Sequence, residues 1–475
     1  MPETTRDQNA APVTGAPIIV TIDTPTLGDR SYLAHDGEVA LVIDPQRDID
    51  RVLALATKEG VRITHVLETH IHNDYVTGGL ALAKATGAAY LVNRADDVGF
   101  ERIAISDGEI VEISPTMRLR VIATPGHTYT HLSYALDARR AVGADWEPVG
   151  AFTGGSLLFG ATGRPDLLGH DHTHDLVHHQ FASAHRLAHE LPDHVHVLPT
   201  HGFGSFCSAG STGDTTASTI GHERGSNPAL TQDQEAWIAD TLAGLDDYPA
   251  YYAHMAPANS AGPNAPDLRT PEVVDRATLT DRIAAREWVV DLRTRTAFAA
   301  GHVTGTLNFG LDGQFSTYLG WLIPWGTPLT LLGESAEQVA EAHRELVRIG
   351  IDHLAGAATG TPDQWSEAPL GTFERATFAD LAQVRHHRRV FVLDVRRTSE
   401  FDASHIDDAT HIPLHDLLAR LTEVPTSEVW VHCAGGYRAS IAASILAGHG
   451  VPVVAVDDSF DNATSSGLPL TNAST

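Results

Sequence analysis

The sequence predicts an α/β protein with a layered N-terminal domain followed by two small, similar α/β domains. Strand-like and helix-like segments alternate early in the chain, at Ala40–Ile43, Ile49–Glu59 and Ile63–Leu67, which is the rhythm of an α/β layered architecture. The length of 475 residues exceeds what a single hydrophobic core supports and indicates about three domains. A pattern that recurs after 103 residues, as from Asp291 to Asp394, predicts that the last two domains are tandem copies.

Composition argues against two classes of partner. A net charge of −28 disfavours nucleic acid and anionic membrane surfaces, which bind clustered Lys and Arg. No apolar run approaches the length of a membrane span. Cys207 and Cys433 are the only cysteines, too few for a disulfide framework, so a reducing cytoplasm is expected. Residues 1–15 are polar without the apolar core of a secretory signal, and we expect them to be disordered.

The first candidate site is a cluster of metal-ligand residue types that follows the strand-like run Ile63–Leu67. Two histidines and an aspartate stand two residues apart on a loop, where side chains escape strand geometry and can turn towards one ion. Two single histidines follow, in Thr124–Thr128 and Pro199–Gly202. The candidate ligands are, in chain order, His70, His72, Asp74, His127 and His201.

The order of these motifs resembles the metallo-β-lactamase fold superfamily, whose signature is His-x-His-x-Asp-His followed by distant single ligands. The resemblance covers residues 16–255 and implies an αββα sandwich. Two positions depart from it. Tyr75 stands where the signature has its last histidine, and Gly155 stands after Thr153-Gly154 where the superfamily usually carries an aspartate. The loss of these two ligands predicts a site for one divalent metal ion with an open position.

Three further features of this region also lead to predictions. Arg164 could grip a substrate carboxylate or persulfide, or it could form an ion pair with Asp166. Cys207 lacks a cationic or glycine-rich surrounding and is interpreted as a small core residue. The histidine-dense segment 171–201 carries leucines at helical spacing, which predicts an amphipathic helix with histidines on its polar face. His201 is the exception, because it lies at a strand end.

A stretch rich in Ala, Pro, Asn and Gly, without hydrophobic period, predicts a linker at 256–272. Beyond it, Val289–Arg293 aligns with Val392–Arg396, and a phenylalanine and a histidine follow each at the same offset. We call residues 273–365 the first copy and residues 373–475 the second copy. Each has the length of one small α/β domain.

The second copy carries the second candidate site, in His432-Cys433-Ala434-Gly435-Gly436-Tyr437-Arg438. An apolar run delivers a cysteine onto a glycine-containing loop that opens a helix. Inward backbone N–H groups, the helix N-terminus and Arg438 would together lower the pKa of the cysteine. The pattern predicts an activated sulfur nucleophile at Cys433, with Arg438 as its catalytic partner. The substrate-binding loop is then Gly435, Gly436 and Tyr437.

This loop resembles that of the rhodanese family of sulfurtransferases, and Asp394-Val395-Arg396, Glu400-Phe401 and His405-Ile406 also match the family pattern. Four residues separate Cys433 from Arg438, one fewer than in phosphatases with a related cradle, which favours a sulfur-sized pocket.

The first copy runs from Leu329–Leu332 into Gly333-Glu334-Ser335 with no cysteine or arginine. It resembles an inactive rhodanese homology domain that positions the outer domains or forms an interface. A homodimer is one form that such an interface could take.

The domain order is similar to that of persulfide dioxygenase and rhodanese fusions. The resemblance implies O2-dependent oxidation of a low-molecular-weight thiol persulfide to sulfite, together with transfer of sulfane sulfur to sulfite, giving thiosulfate, or the reverse. In that family Fe(II) is held by two His and one Asp. His70 and His127 match the two histidines, and His72 or Asp74 could complete the set in place of Gly155. Fe(II) is favoured, and Zn(II) is possible.

Two alternatives remain. One is a thioester hydrolase of the hydroxyacylglutathione type, which uses a metal-bound water. The other is a first domain that acts only as a metal-site scaffold for an active C-terminal sulfurtransferase.

Overall fold

The computed structural model describes residues 17–210 and 215–472. The chain forms two compact units, one of residues up to Asp267 with Val347–Gly350, the other of Leu268–Leu346 with Ile351–Thr475. Residues 1–15, for which disorder is predicted, lie outside the described residues. Within the described ranges no helix combines the length and apolar character that crossing a membrane requires.

The first unit contains two six-stranded sheets and a two-stranded ribbon. The sheet orders are β1-β2-β3-β4-β5-β6, β14-β12-β10-β9-β8-β7 and β11-β13. The strands are β1 (Ile18–Thr24), β2 (Asp29–His35), β3 (Val39–Ile43), β4 (Arg62–Leu67), β5 (Ala89–Asn93), β6 (Ile103–Ile105), β7 (Ile110–Ser114), β8 (Met117–Ala123), β9 (Leu132–Ala138), β10 (Glu147–Gly154), β11 (Thr162–Gly163), β12 (His196–Pro199), β13 (Ser208–Ala209) and β14 (Ser218–Thr219). The helices are α1 (Asp50–Glu59), α2 (Gly79–Thr86), α3 (His170–Glu190), α4 (Ile220–Ser226), α5 (Pro228–Thr231), α6 (Gln234–Ala243) and α7 (Tyr252–Ala261).

The two large sheets pack face to face, with helices on their outer faces. Alternation along β3 shows why: Leu41 and Ile43 join the core shared with the second sheet, whereas Val42 between them joins the core under α1 and α2. Successive strand residues face opposite sides, so each sheet buries both of its faces. On the far side, α3 packs its buried residues, such as Leu187, against the second sheet. The αββα sandwich predicted from the sequence is confirmed.

The predicted early elements match the observed ones to within one residue at each end. The histidine-dense segment forms helix α3, which ends at Glu190. Leu176 and Leu187 are buried, and histidines such as His174 are exposed. The prediction of an amphipathic helix whose polar face carries histidines is therefore confirmed.

The predicted linker differs at its start. Residues up to Ala261 are helical in α7, which contains Pro257. The side chain of Asn259 is buried in the first unit and accepts a hydrogen bond from the N–H of Thr77. Composition concealed this helix, because a short helix that buries Tyr252, Met255 and Asn259 shows no hydrophobic period.

The second unit contains one parallel sheet in each copy. The orders are β16-β15-β17-β18 and β19-β24-β23-β20-β22, with a separate antiparallel pair β21-β25. The strands are β15 (Trp288–Asp291), β16 (Leu307–Asn308), β17 (Leu329–Gly333), β18 (Leu354–Thr359), β19 (Glu374–Ala376), β20 (Phe391–Asp394), β21 (Ser404–Ile406), β22 (Thr410–His411), β23 (Val429–His432), β24 (Val453–Val456) and β25 (Leu470–Asn472). The helices are α8 (Arg276–Ala284), α9 (Arg295–Ala300), α10 (Phe315–Leu322), α11 (Ala336–Arg348), α12 (Pro362–Trp365), α13 (Phe378–His387), α14 (Thr398–Ala403), α15 (Tyr437–Gly448) and α16 (Asn462–Ser465).

Candidate functional sites

The candidate metal ligands lie on three loops, each of which follows a strand. The loop after β4 carries His70, His72 and Asp74, the loop after β8 carries His127, and the loop after β12 carries His201. All five side chains are at most 2% exposed. Burying five ionisable groups together is costly unless they are paired or bind an ion, so their arrangement indicates a function.

Three of the five meet at one point. His70, His127 and His201 each bring a ring nitrogen to within 4.8 Å of the other two. The Nε2 atoms of His70 and His201 are 3.4 Å apart, and Nε2 of His127 is buried without a hydrogen-bond partner. An orphaned imidazole nitrogen beside two others is the donor set that a metal ion would satisfy.

In His127 and His201, the hydrogen bond made by Nδ1 fixes the direction in which Nε2 points. Nδ1 of His127 lies 2.8 Å from the backbone oxygen of Arg164. A carbonyl can only accept, so Nδ1 carries the proton and Nε2 keeps its lone pair. Nδ1 of His201 lies 3.0 Å from a carboxylate oxygen of Asp29 and donates to it in the same way. Such partners orient metal-ligating histidines in proteins generally.

The third ring is oriented through a hydroxyl. Thr69 Oγ1 donates to Asp44 Oδ2 at 2.7 Å, so it accepts a hydrogen bond from Nδ1 of His70, which lies 2.9 Å away. Nε2 of His70 therefore also presents a lone pair. The three residues thus fit a single divalent ion, with three neutral imidazoles as ligands.

Their proton affinities differ. Burial lowers the pKa of His127 to about 3 and that of His70 well below its usual value, so both rings are neutral. Burial acts the same way on His201, but the charge of Asp74 and the hydrogen bond to Asp29 raise its pKa to about 10. A metal ion and a proton compete for Nε2 of His201, so metal binding at His201 releases a proton.

His72 faces a different set of groups. Its Nε2 lies 3.3 Å from Asp44 Oδ1, 3.4 Å from Glu68 Oε2 and 3.0 Å from the hydroxyl of Tyr75. Burial opposes protonation, but the charge of Asp44 raises the pKa of His72 to about 9. The ring is therefore a cation held between two carboxylates, and the tyrosine at the departing motif position is one of its partners.

Asp74 lies between the two sets. Its Oδ2 is 3.1 Å from Nδ1 of His201, and it also brings an oxygen to within 4.8 Å of ligand atoms of His72 and His201. Beyond this ion pair with His201, neither carboxylate oxygen has a hydrogen-bond partner. The structure therefore places Asp74 beside the three-histidine group.

Gly155, at the position where the superfamily carries an aspartate, is enclosed by the rings of His131 and His127. The N–H of Gly155 donates to Nε2 of His131 at 3.0 Å, and a Cβ at residue 155 would lie 2.4 Å from Cδ2 of His127. Because Nε2 of His131 accepts, its Nδ1 donates to Thr124 Oγ1, 2.8 Å away, and neither nitrogen is free for a metal. No sequence motif indicated His131, which stacks on His70 with 4.9 Å between ring centroids.

Arg164 and Cys207 lie nearby. Of the two roles left open for Arg164, the ion pair is present: its guanidinium makes two hydrogen bonds to Asp166, at 2.6 and 2.7 Å, and the residue is 4% exposed. Its backbone oxygen is the group that orients His127. Cys207 is fully buried, with Sγ 3.8 Å from the hydroxyl of Tyr252, as its interpretation as a core residue predicts.

Asn259 holds the ligand loop in place and was not found from the sequence. Its Nδ2 donates to the backbone oxygens of His72 and Tyr75 at 2.9 and 2.8 Å. No motif signalled this role, because Asn259 lies in the stretch that composition assigned to the linker.

The second site lies where β23 ends and α15 begins. Cys433 is 2% exposed, and its Sγ accepts hydrogen bonds from the backbone N–H groups of Gly436 at 3.1 Å and Ala439 at 3.4 Å. Convergent N–H groups at a helix N-terminus stabilise negative charge on sulfur. The structure therefore gives the predicted cradle its geometry.

Gly436 is required for this loop. Its φ is +91°, and a Cβ there would lie 2.1 Å from Oδ1 of Asp457. The neighbouring Gly435 is exposed and meets nothing within 4 Å, so it forms the open side of the loop.

Arg438 is paired within the second copy. It makes two hydrogen bonds to Glu400, at 2.6 and 2.8 Å. Burial would raise the pKa of Glu400, but the hydrogen bonds and charge of Arg438 lower it to about 2. The nearby Arg397 also donates to Glu400 at 3.3 Å, so two guanidinium groups share one carboxylate.

Comparisons with known proteins agree with this geometry. Residues 377–465 match the rhodanese-like domain family. A crystal structure of a metallo-β-lactamase from Staphylococcus aureus subsp. aureus COL superimposes with a TM-score of 0.64 and 29% identity, covering 73% of this chain and all of that one. The protein therefore combines a metallo-β-lactamase fold with a C-terminal rhodanese-like domain, as predicted.

Two characterised relatives are similar to the N-terminal part. A hydroxyacylglutathione hydrolase of Polaromonas sp. is 32% identical over 168 residues, which are 34% of this chain and 57% of the hydrolase. The human mitochondrial persulfide dioxygenase ETHE1 is 28% identical over 229 residues, 47% of this chain and 80% of the dioxygenase. The N-terminal part is thus similar to a hydroxyacylglutathione hydrolase, of which it spans 57%, and to a persulfide dioxygenase, of which it spans 80%.

Proposed function

We propose that the protein is an enzyme of sulfur metabolism that transfers sulfane sulfur at Cys433 and oxidises a low-molecular-weight thiol persulfide at a mononuclear metal centre. The observation that carries the proposal is the pair of backbone N–H groups, from Gly436 and Ala439, that meet the sulfur of Cys433. The domain boundaries, the cytoplasmic location and a homodimer remain predictions.

The transfer step follows from the cradle. The thiolate of Cys433 attacks the sulfane sulfur of thiosulfate and forms a new sulfur–sulfur bond. The bond to the sulfonate sulfur breaks, and sulfite leaves with its electron pair. The resulting persulfide of Cys433 keeps the negative charge under the same N–H groups, so its terminal sulfur can pass to an acceptor thiol or back to sulfite.

The three-histidine group is the proposed holder of the metal. His70, His127 and His201 would bind one divalent ion, which would supply a Lewis acid and, if it is Fe(II), a site for activating O2. The chain itself orients the three rings through the backbone oxygen of Arg164, the carboxylate of Asp29 and the hydroxyl of Thr69. Burial of the site keeps water away. Relationship to the persulfide dioxygenase favours Fe(II), whereas three histidines also suit Zn(II).

Thioester hydrolysis is the second candidate, favoured by the higher identity to the hydroxyacylglutathione hydrolase. It would need a metal-bound water, which three neutral histidines around zinc support. A third possibility is that the first domain holds its metal only as a scaffold. It is motivated by Tyr75 and Gly155, which stand where the superfamily pattern has a histidine and an aspartate ligand.

The test is metal analysis of anaerobically purified protein, paired with O2 uptake on adding glutathione persulfide. Stoichiometric iron with persulfide-dependent uptake supports the proposal. Zinc with cleavage of S-lactoylglutathione supports the hydrolase. A metal without either activity supports the scaffold.

A matched pair of variants locates the metal. We expect His127→Ala to lose most of the bound metal, because it removes a ligand with an orphaned nitrogen. His174→Ala, on the exposed face of α3, should keep it. Equal metal content in both variants would contradict the three-histidine site.

A further inference from the structure

The first copy, which has no cysteine, contacts the loop that holds Cys433. Tyr437, the residue before Arg438, donates a hydrogen bond from its hydroxyl to the backbone oxygen of Gly310 at 2.7 Å. Its ring covers Gly313 so closely that a Cβ there would lie 2.4 Å from the ring. The active loop of one copy is therefore anchored in the other copy.

The helix after the loop is fixed to the same neighbour. Ser440 Oγ donates to Asn308 Oδ1 at 2.8 Å, and the N–H of Asn308 donates to Ser444 Oγ at 3.0 Å. The amide of Asn308 in turn donates to the backbone oxygen of Arg293 at 2.9 Å. All these atoms are buried, so the first copy holds a defined position against α15.

Helix α10 of the first copy carries Tyr318 to this junction. The Tyr318 ring centroid lies 6.0 Å from that of Tyr437 and 6.3 Å from that of Trp321, with the Trp321 ring nearly parallel to it. Burial raises the pKa of Tyr318, so its hydroxyl keeps a proton to donate. The ionisable groups with the largest electrostatic effect on this hydroxyl lie in the second copy, namely Arg438, Arg397, Cys433 and Glu400.

The junction offers several donors to an anion. The guanidinium groups of Arg438 and Arg397 both donate to Glu400, so two guanidinium groups stand together there. A small oxyanion beside the sulfur of Cys433 would meet these groups, the open side of the loop at Gly435 and the hydroxyl of Tyr318. Guanidinium and hydroxyl donors together suit the oxygens of a sulfonate group.

We propose that Tyr318 is a positioning residue of the Cys433 site and donates a hydrogen bond to an oxygen of a thiosulfate-type sulfur oxyanion. The proposal rests on the proposed sulfur transfer at Cys433. In the transfer the sulfonate oxygens gain charge as sulfite departs with the electron pair, and the donor from the first copy stabilises that charge. The copy without a cysteine thereby takes part in the reaction of the other copy.

The test compares two sulfur donors on the full-length Tyr318→Phe variant. In thiosulfate the sulfane sulfur is bonded to a sulfonate sulfur that carries oxygens, whereas in glutathione persulfide it is bonded to a cysteine sulfur that carries carbon and no oxygen. Loading of Cys433 is followed by mass spectrometry as a gain of one sulfur atom. We expect the rate constant kcat/KM for loading to fall about tenfold with thiosulfate, the cost of one hydrogen bond to a charged group. With glutathione persulfide it should stay within about twofold.

A purely structural role would lower loading from both donors equally, and that result would overturn the proposal, as would unchanged loading from thiosulfate. Inhibition by sulfite gives a second measurement, since its inhibition constant should rise about tenfold in Tyr318→Phe. Tyr129→Phe, which changes a partly exposed tyrosine of the first unit, is the matched control and should behave as wild type.

The Cys433→Ser variant separates the two proposals. If it still accepts sulfur, the proposed function fails. If it does not, while Tyr318→Phe loads thiosulfate like wild type and retains its sulfite inhibition, only the role of Tyr318 fails.

Discussion

The two copies of the second unit share a frame and differ at one loop. In the first copy Arg293 donates to Asp291 at 2.6 Å, and in the second Arg396 donates to Asp394 at the same distance. Each arginine also donates to a backbone oxygen eight residues on in the chain, at 2.9 and 2.7 Å. These buried ion pairs fix the end of a central strand, so the frame does not depend on the presence of the nucleophile.

The loops that follow β17 in the first copy and β23 in the second copy have different hydrogen bonds. In the second copy, N–H groups converge on the sulfur of Cys433. In the first copy Gly333 holds the equivalent strand end, and the N–H of Glu334 donates to the side-chain oxygen of Gln338 at 2.6 Å. The side chain of Gln338 thus accepts the hydrogen bond of a backbone N–H group in the same loop. The comparison teaches that packing preserves the fold while loop residues decide the chemistry.

The largest expected effect separates the copies by activity. Cys433→Ser should lower transfer of sulfur from thiosulfate to cyanide by on the order of 10³-fold or more, because the nucleophile is removed. Metal content should be unchanged. Residual transfer near the wild-type rate would mean that another group carries the sulfur.

The next effect tests whether the frames are equivalent. Asp291→Asn and Asp394→Asn each leave a buried guanidinium without its counter-charge, since both aspartates are 0% exposed. We expect each to lower the free energy of unfolding by about 3 kcal/mol, measured by urea denaturation at neutral pH. A silent Asp291→Asn would show that the first copy does not rely on its ion pair.

A smaller effect concerns the pH dependence of stability and arises from Glu400 of the second copy. The pKa of Glu400 falls from an ordinary 4.5 to about 2 on folding, so its contribution to stability is present above about pH 4.5 and is lost as the pH falls towards 2. We expect Glu400→Gln to lose about 1 to 2 kcal/mol less unfolding free energy than wild type on acidification, allowing for solvent screening of a partly exposed pair.

The control for this prediction is Asp402→Asn, an exposed carboxylate on the same helix α14. Its pH profile should follow that of wild type. A profile of Glu400→Gln that is as steep as wild type between pH 5 and 3 would contradict the assigned pair. The first copy offers a natural reference, because Ala297 stands at the position equivalent to Glu400.

The smallest effect is an expected absence of gain. Gly333→Cys, in a Cys433→Ser background, should load no more sulfur from thiosulfate than Cys433→Ser alone, as seen by mass spectrometry. A Cβ at residue 333 would lie 3.0 Å from Val339 and 3.1 Å from the amide oxygen of Gln338, so the introduced thiol would enter a loop already occupied. Clear loading would show that the frame alone activates a thiol.

Much of the fold was predictable because it follows from local patterns. Strands such as Val39–Ile43 and the ligand loop after β4 show as apolar runs and as fixed motif spacing. The boundary of the first unit was less accessible: α7 is recognised by its contact through Asn259 with a loop more than 180 residues earlier, which no window of sequence contains.

The candidate ligands were all named from the sequence, but not their grouping. Spacing placed His70 and His72 together, whereas the structure turns His72 towards Asp44 and Glu68 and joins His70 to His127 and His201. The turn depends on the buried carboxylates of Asp44, which follows β3, and of Glu68, which directly follows β4, and the spacing of the histidine motif does not report either contact.

The pairing of Glu400 with Arg438 also bears on how a duplicated domain can decay. A descendant that lost the carboxylate first would keep a guanidinium that is 10% exposed without its counter-charge, a substantial penalty in stability. A descendant that lost the arginine first would keep a carboxylate that is 23% exposed and can be hydrated. The first copy has Ala297 in place of Glu400 and Gln338 in place of Arg438, because Gly333 takes the position of Cys433 in the strand pairing and Gln338 follows Gly333 as Arg438 follows Cys433. This sequence is therefore reached with less loss of stability when the arginine is replaced before the glutamate.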